Sequence, residues 1–376
     1  MVPYSWSFWG GVVDHAEQQL LALRELGVDA WLVMGNDPPG SFTHALHPGL
    51  GRHGTPPEYV LPVGRSVIVP ANGSLPNIVL TPTTPLRIKR IFERGRFDLI
   101  HVHEPMTPAI GVAALSFARV PLVATFHASG ELAWMKLATP VWGFLAERLD
   151  HRIAVSPDAA TTVQKYLPGE YEVIPNGVAM PQVADPGERE NSIVFVGRHE
   201  PRKGLQVLLR AWPEIRRQTG TRLRVVGADP LQVRLLLTRH RIPDDGIDAL
   251  GFVSERERTD ELLKAKAFVA PSLGGESFGM VLTEAFACAT PVVASDIPGY
   301  RDVMTAETGV LVPPDDPRSL ARAIVSLLAD EPRRLQLGVG ARRRARAYSW
   351  DDIGRRLLAI YELVTGESPA TLAAAG

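Results

Sequence analysis

The sequence predicts an α/β protein made of two doubly wound parallel sheets, and three observations predict it. Short apolar runs ending in polar or glycine-rich turns recur along the whole chain, longer amphipathic segments lie between them, and one polar stretch with two prolines interrupts the series near the middle. Strands buried on both faces read as continuous apolar runs, and alternation with helices places them in parallel sheets covered on both sides. A chain of 376 residues has room for two such units at roughly 150 residues per domain.

In chain order, residues 1–7 leave barely room for a first strand before Gly10-Gly11 and a helix from Val12, whose amphipathic body is 16–26. Either that strand is short or the start lies upstream. Apolar runs follow at 31–35, 99–104, 122–129, 153–156 and 173–177, then at 193–197, 223–227, 268–271 and 292–296. Amphipathic segments at 204–217 and 320–328 supply helices between them. The interruption is 181–191 (PQVADPGEREN), read as a linker. It splits the chain into an N-terminal Rossmann-like lobe, 1–180, and a C-terminal one, 181–349. A cleft is expected between the lobes. Ligands of such sheets bind beyond the carboxyl ends of the strands, so the residues just after each run carry the interest.

Composition narrows the classes of function. With 45% hydrophobic residues, 22% charged and a net charge of -1, the chain buries large cores and is neither disordered nor a general nucleic-acid binder. All but six of its 40 basic residues are arginine, so each arginine is judged by position. Cys288, the single cysteine, lies in an apolar stretch and reads as a small buried side chain. The N-terminus lacks a basic region followed by a long apolar one, and no run of about 18 apolar residues occurs. A cytoplasmic protein is expected, with attachment to a membrane surface left open.

Two segments carry chemistry. Residues 193–205 (IVFVGRHEPRKGL) run from a buried strand through Gly197 and Arg198 to Arg202, Lys203 and a helix. Three cations at a strand's carboxyl end and near a helix N-terminus oppose the helix dipole, and an anion relieves that conflict. The bland alternative is a solvated basic loop. Residues 271–287 (PSLGGESFGMVLTEAFA) place Gly274, Gly275 and Gly279 where backbone amides can approach a ligand, ahead of a helix from Phe278 whose free N–H groups point the same way. Glu276 and Glu284 lie eight residues apart and can project from one side. A phosphate repels a carboxylate, so these two read as acceptors from sugar and ribose hydroxyls. Taken singly, Glu276 is also an N-cap candidate and Glu284 an ordinary surface residue.

Gly197-Arg198 with Lys203-Gly204, then Glu276-Ser277-Phe278-Gly279 with Glu284, resembles the retaining GT-B glycosyltransferases of family 4. The N-terminal half resembles the same family through Gly10-Gly11, HVHEP at 101–105, TFH at 125–127, IAVS at 153–156 and IPNG at 174–177. PYS (3–5), ANGS (71–74), VATFH and GRHEPRKG are most similar to the phosphatidylinositol mannosyltransferases of actinobacteria. The resemblance implies transfer of mannose, with retention, from GDP-mannose to a hydroxyl of a lipid or polyol acceptor such as phosphatidylinositol, at the inner face of the plasma membrane and with no required cofactor. By that resemblance Arg198 and Lys203 bind the donor diphosphate, Glu276 the sugar hydroxyls and Glu284 the ribose. Gly197, Gly275, Ser277, Phe278 and Gly279 frame the donor, His127 contacts the sugar near the reacting carbon, and Gly10 and Gly11 let diphosphate and acceptor approach. Tyr4, Asn72 and Ser74 fall on the acceptor side, where Leu75-Pro76-Asn77 stands in place of an arginine of the phosphatidylinositol enzymes. The last helix, within 350–376, crosses back onto the N-terminal lobe.

Positive ends fixed around a leaving diphosphate stabilise an oxocarbenium-like transition state, and no nucleophile is assigned. His101 and His103 alternate on one strand face, but two ligands with no further cluster at ligand spacing do not make a metal site. Arg87, Lys89, Arg90 and Arg94 crowd one helix, a solvated face or one that meets anionic lipid. The apolar stretch 128–145 reads as core, or as a surface that touches lipid. Arg342, Arg343, Arg344 and Arg346 read as a solvated tail helix. Rival readings are a sugar-nucleotide 2-epimerase of the same fold and a non-enzymatic two-lobed solute-binding protein.

Overall fold

The computed structural model describes residues 1–46, 51–52, 54–69, 77–127, 143–183, 188–276 and 278–366. The chain divides into two compact units, Met1–Gly177 with Trp350–Gly376, and Val178–Ser349. The boundary lies three residues ahead of the linker because the Val178 N–H donates to the Tyr348 carbonyl at 2.7 Å and Val178 bridges Ser349.

The first unit holds β1 (Leu32–Gly35), β2 (Val60–Gly64), β3 (Ser66–Ile68), β4 (Asn77–Val79), β5 (Ile100–His103), β6 (Leu122–Phe126), β7 (His151–Ala154) and β8 (Glu172–Val173). β1 pairs with β2 in parallel, and β5, β6, β7 and β8 form a parallel sheet in that order. Residues 1–6 join the two. Val2 donates to Val33, Ser5 bridges Gly35 in parallel, and on the other side the Met1 carbonyl accepts from the His103 N–H. The short first strand is thus central, and the order β2, β1, residues 1–6, β5, β6 reverses beside it, which is the topological switch point of a doubly wound sheet. One face buries Val102, Leu122, Ala124 and Phe126. The other buries Val123 and Ile153 against Leu23 of the helix Gly11–Glu25 and Ile353, Leu357, Ile360 and Tyr361 of the helix Trp350–Thr365. Burying each such aliphatic side chain stabilises by about 1.5–3 kcal/mol, so the final helix supplies a cover the sheet needs.

The second unit holds β9 (Glu190–Val196), β10 (Arg222–Val226), β11 (Ile247–Gly251), β12 (Ala265–Ala270), β13 (Val292–Ser295) and β14 (Gly309–Val312), all parallel, in the order β11-β10-β9-β12-β13-β14. Its switch point lies between β9 and β12. Val194 and Val196 face one core and Ile193 and Phe195 the other, the two-sided burial that the continuous apolar run predicts. β2, β11 and β14 escape that signal for one reason: they flank their sheets, with Pro62 inside β2 and half-exposed residues along β11 and β14. The Arg189 guanidinium, next to β9, donates to the carbonyls of Leu262, Ala265, Cys288 and Ala289 and to the Thr290 hydroxyl, pinning the entry to the sheet. Cys288 is buried, and burial, then Glu284, pushes its thiol up to about 12, so it is inert.

Candidate active site

In the second unit, β9 ends at Val196 and the chain passes Gly197, Arg198 and Glu200 into a single turn, Pro201–Lys203, before the helix Leu205–Thr219. β12 ends at Ala270 and is followed by the glycine loop and the helix Met280–Ala287. The two loops are neighbours because they follow the two strands at the switch point. Gly204 closes the approach: its φ is +70°, and a Cβ there would sit 1.8 Å from the Pro271 carbonyl oxygen. The Leu273 N–H donates to the Arg202 carbonyl at 2.7 Å.

Between these loops lies a cluster of opposite charges. Arg198 and Arg202 both reach Glu200, each at 2.7 Å, while Arg202 and Lys203 both reach Glu276 at 2.8 Å. Arg202 also donates to the Gly275 carbonyl at 3.0 Å. Three cations with two carboxylates leave one positive charge in excess, held by backbone that is itself fixed. Gly275 and Gly279 adopt φ of +69° and +73°, conformations that side chains rarely take. Tyr300 packs where a Gly279 Cβ would go and pairs its hydroxyl with Ser272 at 2.8 Å. Arg202 and Glu200 therefore belong to the cluster beside Arg198, Lys203 and Glu276; the run PRKG held the first, and the second had no signal of its own.

The packing around this loop adds two details. The helix expected near Phe278 starts at Met280, and the Phe278 side chain is buried in the core edge-to-face with Tyr348, centroids 5.6 Å apart. Only its backbone could meet a ligand. Glu276 and Glu284 do not share partners: Glu284 pairs with Arg258 of the helix Glu255–Lys264 at 3.1 Å. Ser277 lies outside the described residues, as do Asn72 and Ser74 and most of 128–145.

The first unit's switch point carries histidines in place of the cation cluster. Gly10 caps the helix Gly11–Glu25 in an extended conformation, with nothing within 4 Å of a Cβ, so packing does not demand a glycine there. Glu104, just past β5, takes a φ of +50°, a strained conformation for a residue with a side chain, and its carboxylate accepts the His127 N–H at 2.7 Å. Beneath it lie three buried imidazoles. His103 Nδ1 and His127 Nε2 are 2.9 Å apart in a hydrogen bond, and His15 packs edge-on against both rings, at 5.6 and 5.0 Å. Burial, then neighbouring imidazoles, holds His103 and His127 well below the usual histidine range, and burial brings His15 down to about 4. All three are neutral at pH 7. His101 stacks on His103 at 4.7 Å and bonds the Tyr361 hydroxyl and the Thr125 hydroxyl at 2.6 and 2.7 Å. Tyr4 lies half-buried in this unit, its phenol pushed up by burial and by Glu104.

This trio revises the metal reading. His101 and His103 do share a strand face, but the grouping with ligand-like spacing is His15, His103 and His127, one ring nitrogen of each within 4.8 Å of the others. Spacing along the chain cannot reveal it, because three separate segments contribute. Two of the three nitrogens are already joined by a hydrogen bond, which accounts for their approach by protein contacts alone.

The outlying basic segments divide. Arg87, Lys89, Arg90 and Arg94 are exposed on the helix Thr84–Arg94, whose buried residues are Thr84 and Ile88. The tail arginines are not simply solvated. Arg342 donates to the carbonyls of Ala287 and Pro181, and Arg344 lies over the Tyr348 ring, so they fasten the helix Glu331–Ala345 to its core. Among the described residues, no helix is long and apolar enough to cross a membrane.

Comparison with known proteins agrees with this division. Residues 9–180 match the family model described as Glycosyltransferase Family 4, and residues 190–330 the one described as Glycosyl transferases group 1. A phosphatidyl-myo-inositol mannosyltransferase of Mycolicibacterium smegmatis is 34% identical, over 97% of this chain and 93% of its own. One from Propionibacterium freudenreichii is 35% identical over 98% and 95%. A D-inositol 3-phosphate glycosyltransferase of Salinispora tropica is 32% identical over 73% of this chain and 66% of its own. Among solved structures, sucrose-phosphate synthase from Thermosynechococcus elongatus superposes with a TM-score of 0.71 at 23% identity, over 96% of this chain and 94% of its own. The Anabaena HepE protein in complex with UDP and glucose superposes at 0.69 and 19% identity, over 96% and 98%. With the GT-B fold, two parallel-sheet units and full-length relatives of this kind, the chain belongs to glycosyltransferase family 4 and is a hexosyltransferase.

Proposed function

We propose that this enzyme transfers mannose from GDP-mannose to a hydroxyl of phosphatidylinositol, with retention of anomeric configuration. The observation that carries the reading is the likeness, over nearly the whole chain, to mannosyltransferases whose name gives phosphatidyl-myo-inositol as acceptor. The charge cluster supports the donor half. Breaking a sugar–diphosphate bond builds negative charge on the leaving phosphate, and Arg198, Arg202 and Lys203, gathered between two loops beside two glutamates, favour that state. In this reading the diphosphate takes over the cations' bonds from Glu200 and Glu276. Glu276 is then released to accept from sugar hydroxyls, while Glu284, paired with Arg258, accepts from the ribose. Side-chain cations supply the charge that a divalent ion supplies elsewhere, so no metal is required.

His127 contacts the sugar near the reacting carbon, and the open N-terminus at Gly10-Gly11 admits the diphosphate and acceptor. No nucleophile is assigned; the departing phosphate accepts the acceptor's proton on the same face. The exposed row Arg87, Lys89, Arg90 and Arg94 suits anionic lipid at the inner face of a membrane, each basic residue adding about 1 kcal/mol.

The test is incubation of the purified enzyme with GDP-, UDP- and ADP-sugars and phosphatidylinositol vesicles, with and without a chelator, followed by mass spectrometry and NMR of the product. A mannosylated lipid in the α configuration, formed from GDP-mannose at a rate the chelator leaves unchanged, is the expected result. Transfer from UDP-sugars only would overturn the donor, and a C2-epimerised sugar formed without acceptor would overturn the reaction.

A further inference from the structure

His127 is fixed at two points. Its backbone N–H donates to the Glu104 carboxylate at 2.7 Å and its ring Nε2 is held by His103 Nδ1 at 2.9 Å. An imidazole nitrogen has a single in-plane hydrogen-bonding position, either an N–H or a lone pair, so Nε2 has nothing left for a second partner. His103 is in turn held on its faces and edges: His101 lies parallel to it, interplanar angle 9°, and His15 meets it nearly at right angles, 75°. A ring packed in this way cannot turn aside to free Nε2 without disturbing three neighbours.

We propose that His127 meets its sugar ligand through Nδ1, and that His103 is the positioning residue that holds Nε2 and so fixes the ring plane and couples the His127 tautomer to its own. The assignment rests on the reading that His127 contacts the sugar. Because burial keeps the rings neutral, each carries one proton, and the shared hydrogen bond links the two tautomers. Whichever nitrogen donates, Nδ1 remains the atom with capacity for a hydroxyl.

Side-chain amides separate the two nitrogens. An asparagine amide overlays the Nδ1 position of histidine, and a glutamine amide overlays Nε2. With GDP-mannose and phosphatidylinositol as probes, His127→Asn is expected to retain at least about tenfold more kcat than His127→Gln; the reverse order would overturn the assignment. His103→Asn, which keeps a partner for Nε2, is expected within about threefold of the parent. His103→Leu should lose about tenfold in kcat with the donor KM unchanged. Equal kcat for these two would remove His103 from the role. If His127→Ala keeps full activity, the sugar contact itself fails and the assignment with it. A separate arm needs no substrate: in 15N-histidine NMR of the unmodified enzyme, His127 Nε2 should share a proton with His103 Nδ1, and a His127 Nε2 without that coupling overturns the proposal even if the sugar contact stands.

Discussion

The two units answer the same topological problem with opposite chemistry. At the switch point of the second unit the loops after β9 and β12 bring together charged groups, each cation paired with Glu200 or Glu276 and one positive charge left in excess. At the corresponding place in the first unit, the helix after the central strand, the end of β5 and the segment after β6 bring together three buried neutral imidazoles, two of them hydrogen-bonded to each other. In the proposed reading, one unit stabilises charge that develops on a leaving group. In the same reading, the other holds a polar partner in a fixed orientation.

The largest effect expected from breaking the charged side is on rate. Removing a fixed donor to a developing anion costs about 3–4 kcal/mol elsewhere, so Lys203→Ala or Arg202→Ala should lower kcat by on the order of a hundredfold or more with an unchanged thermal melt. A loss below about threefold would mean that the cluster is only structural.

The histidine side is sharpened by acid. His15 has its proton affinity depressed to about 4 by burial, against an ordinary value of 6.5, so the unfolded chain binds the proton that the folded one refuses. Stability from this group is therefore complete above pH 6.5 and lost as pH falls toward about 4, by about 3 kcal/mol in total. His103 and His127 act in the same direction. Urea denaturation between pH 7 and 4 should show this loss, and His15→Leu should flatten part of it; an unchanged pH slope would mean that the buried cluster already carries a proton.

Smaller still is the contrast between two glycines. Gly204→Ala meets both a positive φ and the Pro271 carbonyl, and should destabilise by more than about 2 kcal/mol. Gly10→Ala, extended and facing open space, should change stability by less than about 0.5 kcal/mol yet slow transfer. If Gly10→Ala is as active as the parent, the helix entrance does not approach a substrate.

The charged site was legible in the sequence because its parts are contiguous: β9 with GRHEPRKG, and β12 with GGESFG, each a buried run followed by its functional loop. The pairing of Arg202 with both glutamates was not legible, since it depends on how two loops meet through Gly204. The histidine trio was largely hidden. His15 sits on a helix, His103 in a strand and His127 after another, and no local spacing joins them. The flanking strands were missed where one side of a strand meets solvent and the apolar run breaks, as at Pro62 and Asp248. Phe278 shows the opposite error: a residue inside a functional motif whose ring anchors the core.

The near-balance of the Arg198–Lys203 cluster has a kinetic consequence. An unpaired triplet of cations would draw any polyanion from a distance and depend steeply on ionic strength. Here the attraction is switched on only at contact, when an incoming diphosphate trades places with carboxylates already seated. Capture of the donor should therefore be governed by shape at short range and vary little with added salt.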